Sequence, residues 1–283
     1  MSKITLLIHC PDTSGIIYAI TSYFYKKKGN IIYIDQYVDV ENKTFFMRLE
    51  SEFKQQLEVE DFQNEFDREL GTPYNMHWQI FTSGSKLRMA LFVSKYDHCL
   101  YDIMGRYKSG ELNVELPMII SNHEDLRPIA ESFNIPFYYI PVEKNKKAEA
   151  ESRQLELLQK EHIDFIVLAR YMQIISENLI STYPNQIINI HHSFLPAFAG
   201  AKPYHFAYKR GVKIIGATCH YVTGELDAGP IIELDISRIS HSHSVKDLIL
   251  KGRDLEKIVL ARGIKLHLER KTLVYNNKTI VFI

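Results

Sequence analysis

From residue 86 onward the sequence alternates short, largely apolar runs with longer segments of helical spacing, and this alternation restricts the fold more than any other feature. The run at 89–93 is apolar and continuous, as a strand buried on both faces should be, and 118–121, 137–140, 165–168, 187–190 and 214–221 read as further strands. Between and after them, 98–108, 126–133, 145–161 and 245–269 read as helices, and 273–283 as a terminal hairpin turning at Asn276-Asn277. This order predicts a doubly wound, mostly parallel α/β sheet, whose ligands bind beyond the carboxyl ends of its strands. The Lys- and Glu-rich helix at 145–161 reads as amphipathic, with its charges on a solvated face.

The first 83 residues follow a different rhythm. Residues 4–10 form a strand ending in a turn at 10–15, where Ser14 is placed to cap a helix carrying Ile16, Ile17, Ile20, Tyr23 and Phe24. Lys26-Lys27-Lys28-Gly29 stops that helix, and strands follow at 31–40 and 44–50. Phe62, Phe66 and Leu70 mark a second helix before a strand at 76–81. The order βαββαβ predicts a ferredoxin-like plait. The polar stretch Thr82-Ser83-Gly84-Ser85-Lys86 separates the two patterns and divides the chain into domains at 1–83 and 84–283.

Composition removes several classes of function. Lys plus Arg and Asp plus Glu both number 34, so no protein-wide basic field exists to hold nucleic acid or an anionic membrane. Three cysteines make neither a disulfide framework nor a zinc pattern, which predicts a reducing compartment. No run approaches the roughly 20 apolar residues of a membrane span. The apolar run at 4–8 is too short for a signal-peptide core, so a soluble, cytoplasmic protein is expected.

Two segments at predicted strand ends carry the polar chemistry. In Ile188-Asn189-Ile190-His191-His192-Ser193, Asn189 and His191 are two apart and point the same way, whereas His192 points to the other face unless the chain bends. His220-Tyr221-Val222-Thr223-Gly224-Glu225-Leu226-Asp227 runs from a strand into a loop closed by Gly229-Pro230. An amide, an imidazole and a carboxylate together suit carbonyl chemistry. Asn189 would donate to a developing oxyanion, and His191 would donate beside it or pass a proton to a leaving nitrogen. Asp227 would orient that histidine, favour its protonated form and accept a proton from an attacking water. Taken singly, each residue has an ordinary structural explanation; their convergence is what matters. A metal hydrolase built on His191, His192, His205 and His220 is a rival, weakened because adjacent histidines in a strand diverge.

Asn189-x-His191-x-Ser193-x-Leu195-Pro196, followed by Glu225-Leu226-Asp227-x-Gly229-Pro230, resembles the formyltransferase-fold family that uses 10-formyltetrahydrofolate. The resemblance implies catalytic roles for Asn189, His191 and Asp227. It also implies a folate pocket along the segment 168–175, with Met172, Gln173 and Ile175, and with Ser193, His220, Thr223 and Gly224 around it. Lys202 is read as a surface lysine in preference to a contact for the folate tail. Upstream, Cys10-Pro11-Asp12-x-x-Gly15-Ile16-Ile17 with Gly29-Asn30-Ile31 resembles an ACT domain. That implies edge-to-edge pairing into a homo-oligomer and an amino-acid effector at Asp12, Gly15, Ile16 and Asn30, where helix amides suit a carboxylate. A plait that only drives oligomerisation is the alternative.

An ACT-like domain ahead of this fold resembles the formyltetrahydrofolate deformylases, the hydrolases of the family. This implies release of formate and tetrahydrofolate in one-carbon and purine metabolism, with folate as substrate and no cofactor or metal. Residues 94–100 hold no Gly where the ribonucleotide-using transferases carry a phosphate loop, and His192 stands where those enzymes usually have Pro. Water is therefore the implied acceptor. A folate-dependent transferase acting on another amine, and a folate binder without turnover, are the competing readings.

Overall fold

In the computed structural model, residues 2–55, 57–84, 86–143, 145–195 and 203–283 are described. The chain divides into two units: Met1–Ser85 with Arg270–Leu273 and Ile280–Ile283, and Lys86–Glu269 with Val274–Thr279.

The first unit comprises β1 (Ser2–Pro11), α1 (Ile16–Lys26), β2 (Asn30–Asp39), β3 (Thr44–Phe53), α2 (Val59–Phe66, continuing as a wider turn through Asp67–Gly71) and β4 (His77–Thr82). Its antiparallel sheet has the order β2-β3-β1-β4. Leu6, Ile8, Ile20, Phe24, Met47 and Phe66 form its core. Two local expectations change at α1. Gly15, at φ 92°, takes the cap position without any side-chain hydrogen bond, so Ser14 does not cap the helix. Ile17 faces solvent, because α1 buries Ile16, Ile20, Tyr23 and Phe24 instead.

The second unit contains β5 (Leu87–Val93), α3 (His98–Ser109), β6 (Val114–Ser121), α4 (Arg127–Ser132), β7 (Phe137–Tyr139), α5 (Lys147–Lys160), β8 (Phe165–Ala169), α6 (Glu177–Thr182), β9 (Ile187–His191), α7 (Pro203–Arg210), β10 (Ile214–Tyr221), β11 (Ile231–Arg238) and α8 (Val245–Leu268). The sheet order is β11-β10-β9-β8-β5-β6-β7. Strands β5 to β9 run parallel, and β10 and β11 are antiparallel additions at one side. Burial on both faces explains the apolar runs of β5 and β8, whereas β7, at the sheet edge, is only partly buried. Met89, Leu91 and Val93 of β5 enter one core with α3 and α8, while Ala90 and Phe92 enter a second core with Leu158 of α5. Three elements were not expected from the sequence. Helices α6 and α7 are too short to show a helical period, and β11 is an edge strand with only Ile232 fully buried along it.

The terminal hairpin forms as expected from β12 (Thr272–Tyr275) and β13 (Lys278–Val281). Its two outer ends group with the first unit, although the sequence pattern had assigned the whole tail to the second. Within that unit Arg48 Nε donates to Arg270 O at 2.9 Å, and Tyr33 Oη donates to Ile283 O at 3.0 Å. Such long-range backbone contacts leave no local mark on the tail sequence.

Candidate active site

The chain steps from β5 outward to β6 and β7, then returns to the other side of β5 as β8 and β9. That reversal opens a crevice beyond the carboxyl ends of β8 and β9, the place where doubly wound sheets bind ligands. A cleft of about 340 Å³ lies there. Antiparallel pairing of β10 with β9 sets Asn189 opposite His220 and His191 opposite Thr218. Asn189, His191 and His220 consequently share the cleft with Asp227 from the loop after β10.

The hydrogen bonds define which atoms face a ligand. His220 Nδ1 lies 2.8 Å from Tyr221 O, which only a protonated nitrogen can satisfy, so Nε2 of a neutral ring accepts from Asn189 Nδ2 at 3.2 Å. This arrangement fixes the orientation of the Asn189 amide and leaves its second N–H for a ligand. Burial lowers the pKa of His220, which disfavours its charged form. His191 Nδ1 stands 3.2 Å from Asp227 Oδ2, and its Nε2 is buried without a hydrogen-bond partner. Asp227 Oδ1 is 3.9 Å from His220 Nε2. Burial pushes the Asp227 carboxyl up, but the hydrogen bond and charge of His191 outweigh it, with a net lowering. Asp227 adopts φ 55°, a left-handed conformation that aspartate tolerates better than most residues. Gly229 permits the turn: a Cβ there would collide with the Tyr221 carbonyl oxygen.

His192 does not point away. Strand β9 ends at His191 and the chain bends, so both histidine rings line the cleft with centroids 5.1 Å apart. Burial, with the charge of Arg170 adding, lowers the His192 pKa to about 3. Behind it Glu256 of α8 is buried among three partners. Its Oε2 lies 2.7 Å from His98 Nε2 and 3.4 Å from Arg170 Nε, and its Oε1 accepts from Tyr204 Oη at 2.7 Å. Burial works to raise the Glu256 carboxyl, yet His98 and Arg170 hold it below its ordinary value.

Met172, Gln173 and Ile175 line the cleft, as do Thr223 and Gly224. The segment that carries the first three is tied down by residues the sequence did not single out. Ser94 Oγ accepts from Met172 N at 3.0 Å and donates to Asn122 Oδ1 at 2.6 Å. From α5, Glu151 accepts from Ser176 N at 2.9 Å and Gln154 donates to Tyr171 Oη at 3.0 Å. Both side chains are buried, so the polar residues of this helix are not all on a solvated face. No local pattern separates Glu151 and Gln154 from the exposed Lys and Glu around them.

Other predicted residues fall elsewhere. Ser193 is buried, does not line the cleft, and offers its backbone oxygen to Thr218 Oγ1 at 2.9 Å. Pro196 and Lys202 lie outside the described residues. In the first unit, Asp12, Gly15 and Ile16 sit at the β1–α1 turn, but Asn30 does not join them. It pairs with Glu52, which faces Lys3, whereas Pro11 faces Thr44, so Asn30 lies at the opposite end of the sheet. Among the described residues, the only His, Cys, Asp or Glu triad with closely grouped donor atoms is His98, Cys99 and Glu256. The guanidinium of Arg170 beside Glu256 and the upward push of burial on the Cys99 thiol both oppose a cation there.

Residues 87–264 match the Formyl transferase family. Over 279 residues the chain is 50% identical to a formyltetrahydrofolate deformylase of Synechocystis, covering 98% of each. The crystal structure of a formyltetrahydrofolate deformylase from Pseudomonas syringae pv. tomato superposes with a TM-score of 0.96 at 44% identity, over 100% of this chain and 95% of that one. A phosphoribosylglycinamide formyltransferase from Anaplasma phagocytophilum, 27% identical, gives a TM-score of 0.64 over 70% of this chain and 96% of its own. The chain belongs to the formyl transferase family and, within it, to the formyltetrahydrofolate deformylases.

Proposed function

We infer that the protein hydrolyses 10-formyltetrahydrofolate to formate and tetrahydrofolate. One observation carries the catalytic assignment: His191, braced at Nδ1 by Asp227, lines the same cleft as the fixed amide of Asn189. Water held by Asp227 attacks the formyl carbon. The oxyanion that develops is met by the second N–H of Asn189 and by the His191 ring, each donor contributing about 3 kcal/mol to the transition state. A water proton passes through His191 or solvent to the folate nitrogen N10, the C–N bond breaks, and formic acid ionises to formate. Met172, Gln173, Ile175, Thr223 and Gly224 form the folate walls. The set already supplies a base and oxyanion donors, so the reading assigns no metal and no cofactor.

The first unit is read as an ACT-like domain that pairs chains into a homo-oligomer and takes an amino acid at the turn of Asp12, Gly15 and Ile16. The three cysteines, all free and buried, suit a reducing compartment such as the cytoplasm. The test is formate release from 10-formyltetrahydrofolate without any amine, with and without added glycine or methionine. Wild type releases formate, and Asp227→Asn and His191→Ala lose about 1,000-fold or more while folate binding survives. Near-normal turnover in either variant would overturn the assignment. An unchanged rate and unchanged melting with both amino acids would overturn the sensor reading.

A further inference from the structure

A second cavity, of about 360 Å³, shares Arg170, Met172 and His192 with the catalytic cleft. The mechanism above does not use it. Its walls bring Arg170 and Arg253 against the single carboxylate of Glu256, an excess of one positive charge before any histidine is counted. Both oxygens of that carboxylate are engaged, by Tyr204 on one and by His98 and Arg170 on the other. Two nitrogens of the wall residues, Arg170 Nε and His98 Nδ1, are buried behind the cavity surface without a hydrogen-bond partner. Arg170 itself is only 8% exposed. Two guanidinium groups on the walls of a cavity of net positive charge suit a small planar carboxylate.

We propose that this second cavity is the formate compartment, into which the product leaves while tetrahydrofolate still fills the cleft. The inference rests on the hydrolytic reading. When the C–N10 bond breaks, N10 takes one proton and formic acid gives up another, so the released fragment is an anion facing the Asp227 carboxylate. Repulsion favours its movement past His192, an uncharged wall common to both cavities, toward Arg170 and Arg253. Formate and tetrahydrofolate then occupy the protein together.

The test is line broadening of ¹³C-formate by the full-length protein, with and without saturating tetrahydrofolate. The proposal expects broadening under both conditions, and about a tenfold loss of formate affinity in Arg253→Glu. Tetrahydrofolate binding by that variant reports that it is folded, and Arg253→Lys restores broadening. Loss of broadening when tetrahydrofolate is added, no broadening at all, or an unchanged Arg253→Glu overturns it. Formate release measured on the same samples keeps the two readings apart. Hydrolysis without an independent formate site removes only this proposal, whereas absence of hydrolysis removes the parent reading and this proposal with it.

Discussion

Asn189, His191 and Asp227 were legible as a set because a two-residue spacing on an extended strand and a carboxylate in a Gly-Pro loop are local patterns. The roles of their neighbours were not. His220 orients the Asn189 amide through a pairing between β9 and β10 that no single segment encodes. His192 turns into the site because the strand ends one residue earlier, a matter of backbone conformation and not of residue type. That placement has a thermodynamic consequence. With its pKa lowered from 6.5 to about 3, His192 stays neutral in the folded state while the unfolded chain takes up a proton. More protons on the unfolded state mean that stability falls as pH drops from about 6.5 toward 3, by about 1.4 kcal/mol for each pH unit crossed. Asp227, also lowered, loses its stabilising effect in the same direction but below the ordinary carboxylate range. Urea unfolding between pH 7 and pH 5 should therefore show a shallower decline in His192→Gln than in wild type. Parallel slopes would mean that His192 is not buried as a neutral ring.

Strands β5 and β8 were readable because two-sided burial leaves a continuous apolar run, and helix α8 because of its length. The short helices and the edge strand β11 carry too few residues for a period to emerge. What positions α8 was also hidden from the sequence. Gly252 lies against the ring of Tyr204, and a Cβ there would overlap it. In a helix, Gly→Ala alone gains about 1 kcal/mol. Here the new methyl must displace Tyr204 from Glu256, combining overpacking of about 1–3 kcal/mol with the loss of a hydrogen bond to a buried charge, about 1.5–3 kcal/mol. Gly252→Ala is expected to be destabilising by about 2 kcal/mol in calorimetry, against the propensity gain. A rise in Tm would show that the Tyr204–Glu256 contact does not constrain the helix.

At the scale of the whole molecule, all residues assigned to catalysis lie within Lys86–Glu269, while Met1–Ser85 forms a plait with its own core. The division near residue 85 was visible in the polar stretch that separates two hydrophobic rhythms, but the return of the chain ends to the first unit was not. The balanced charge, 34 against 34, fits a reaction whose acceptor needs no electrostatic capture. The account stands on water being that acceptor, and the most direct measurement is mass spectrometry of formate produced from 10-formyltetrahydrofolate in H₂¹⁸O with no amine present. The predicted result is formate carrying a single ¹⁸O atom, formed by wild type and absent with Asp227→Asn. Formate without the label, or formyl release only after an amine is added, would contradict it.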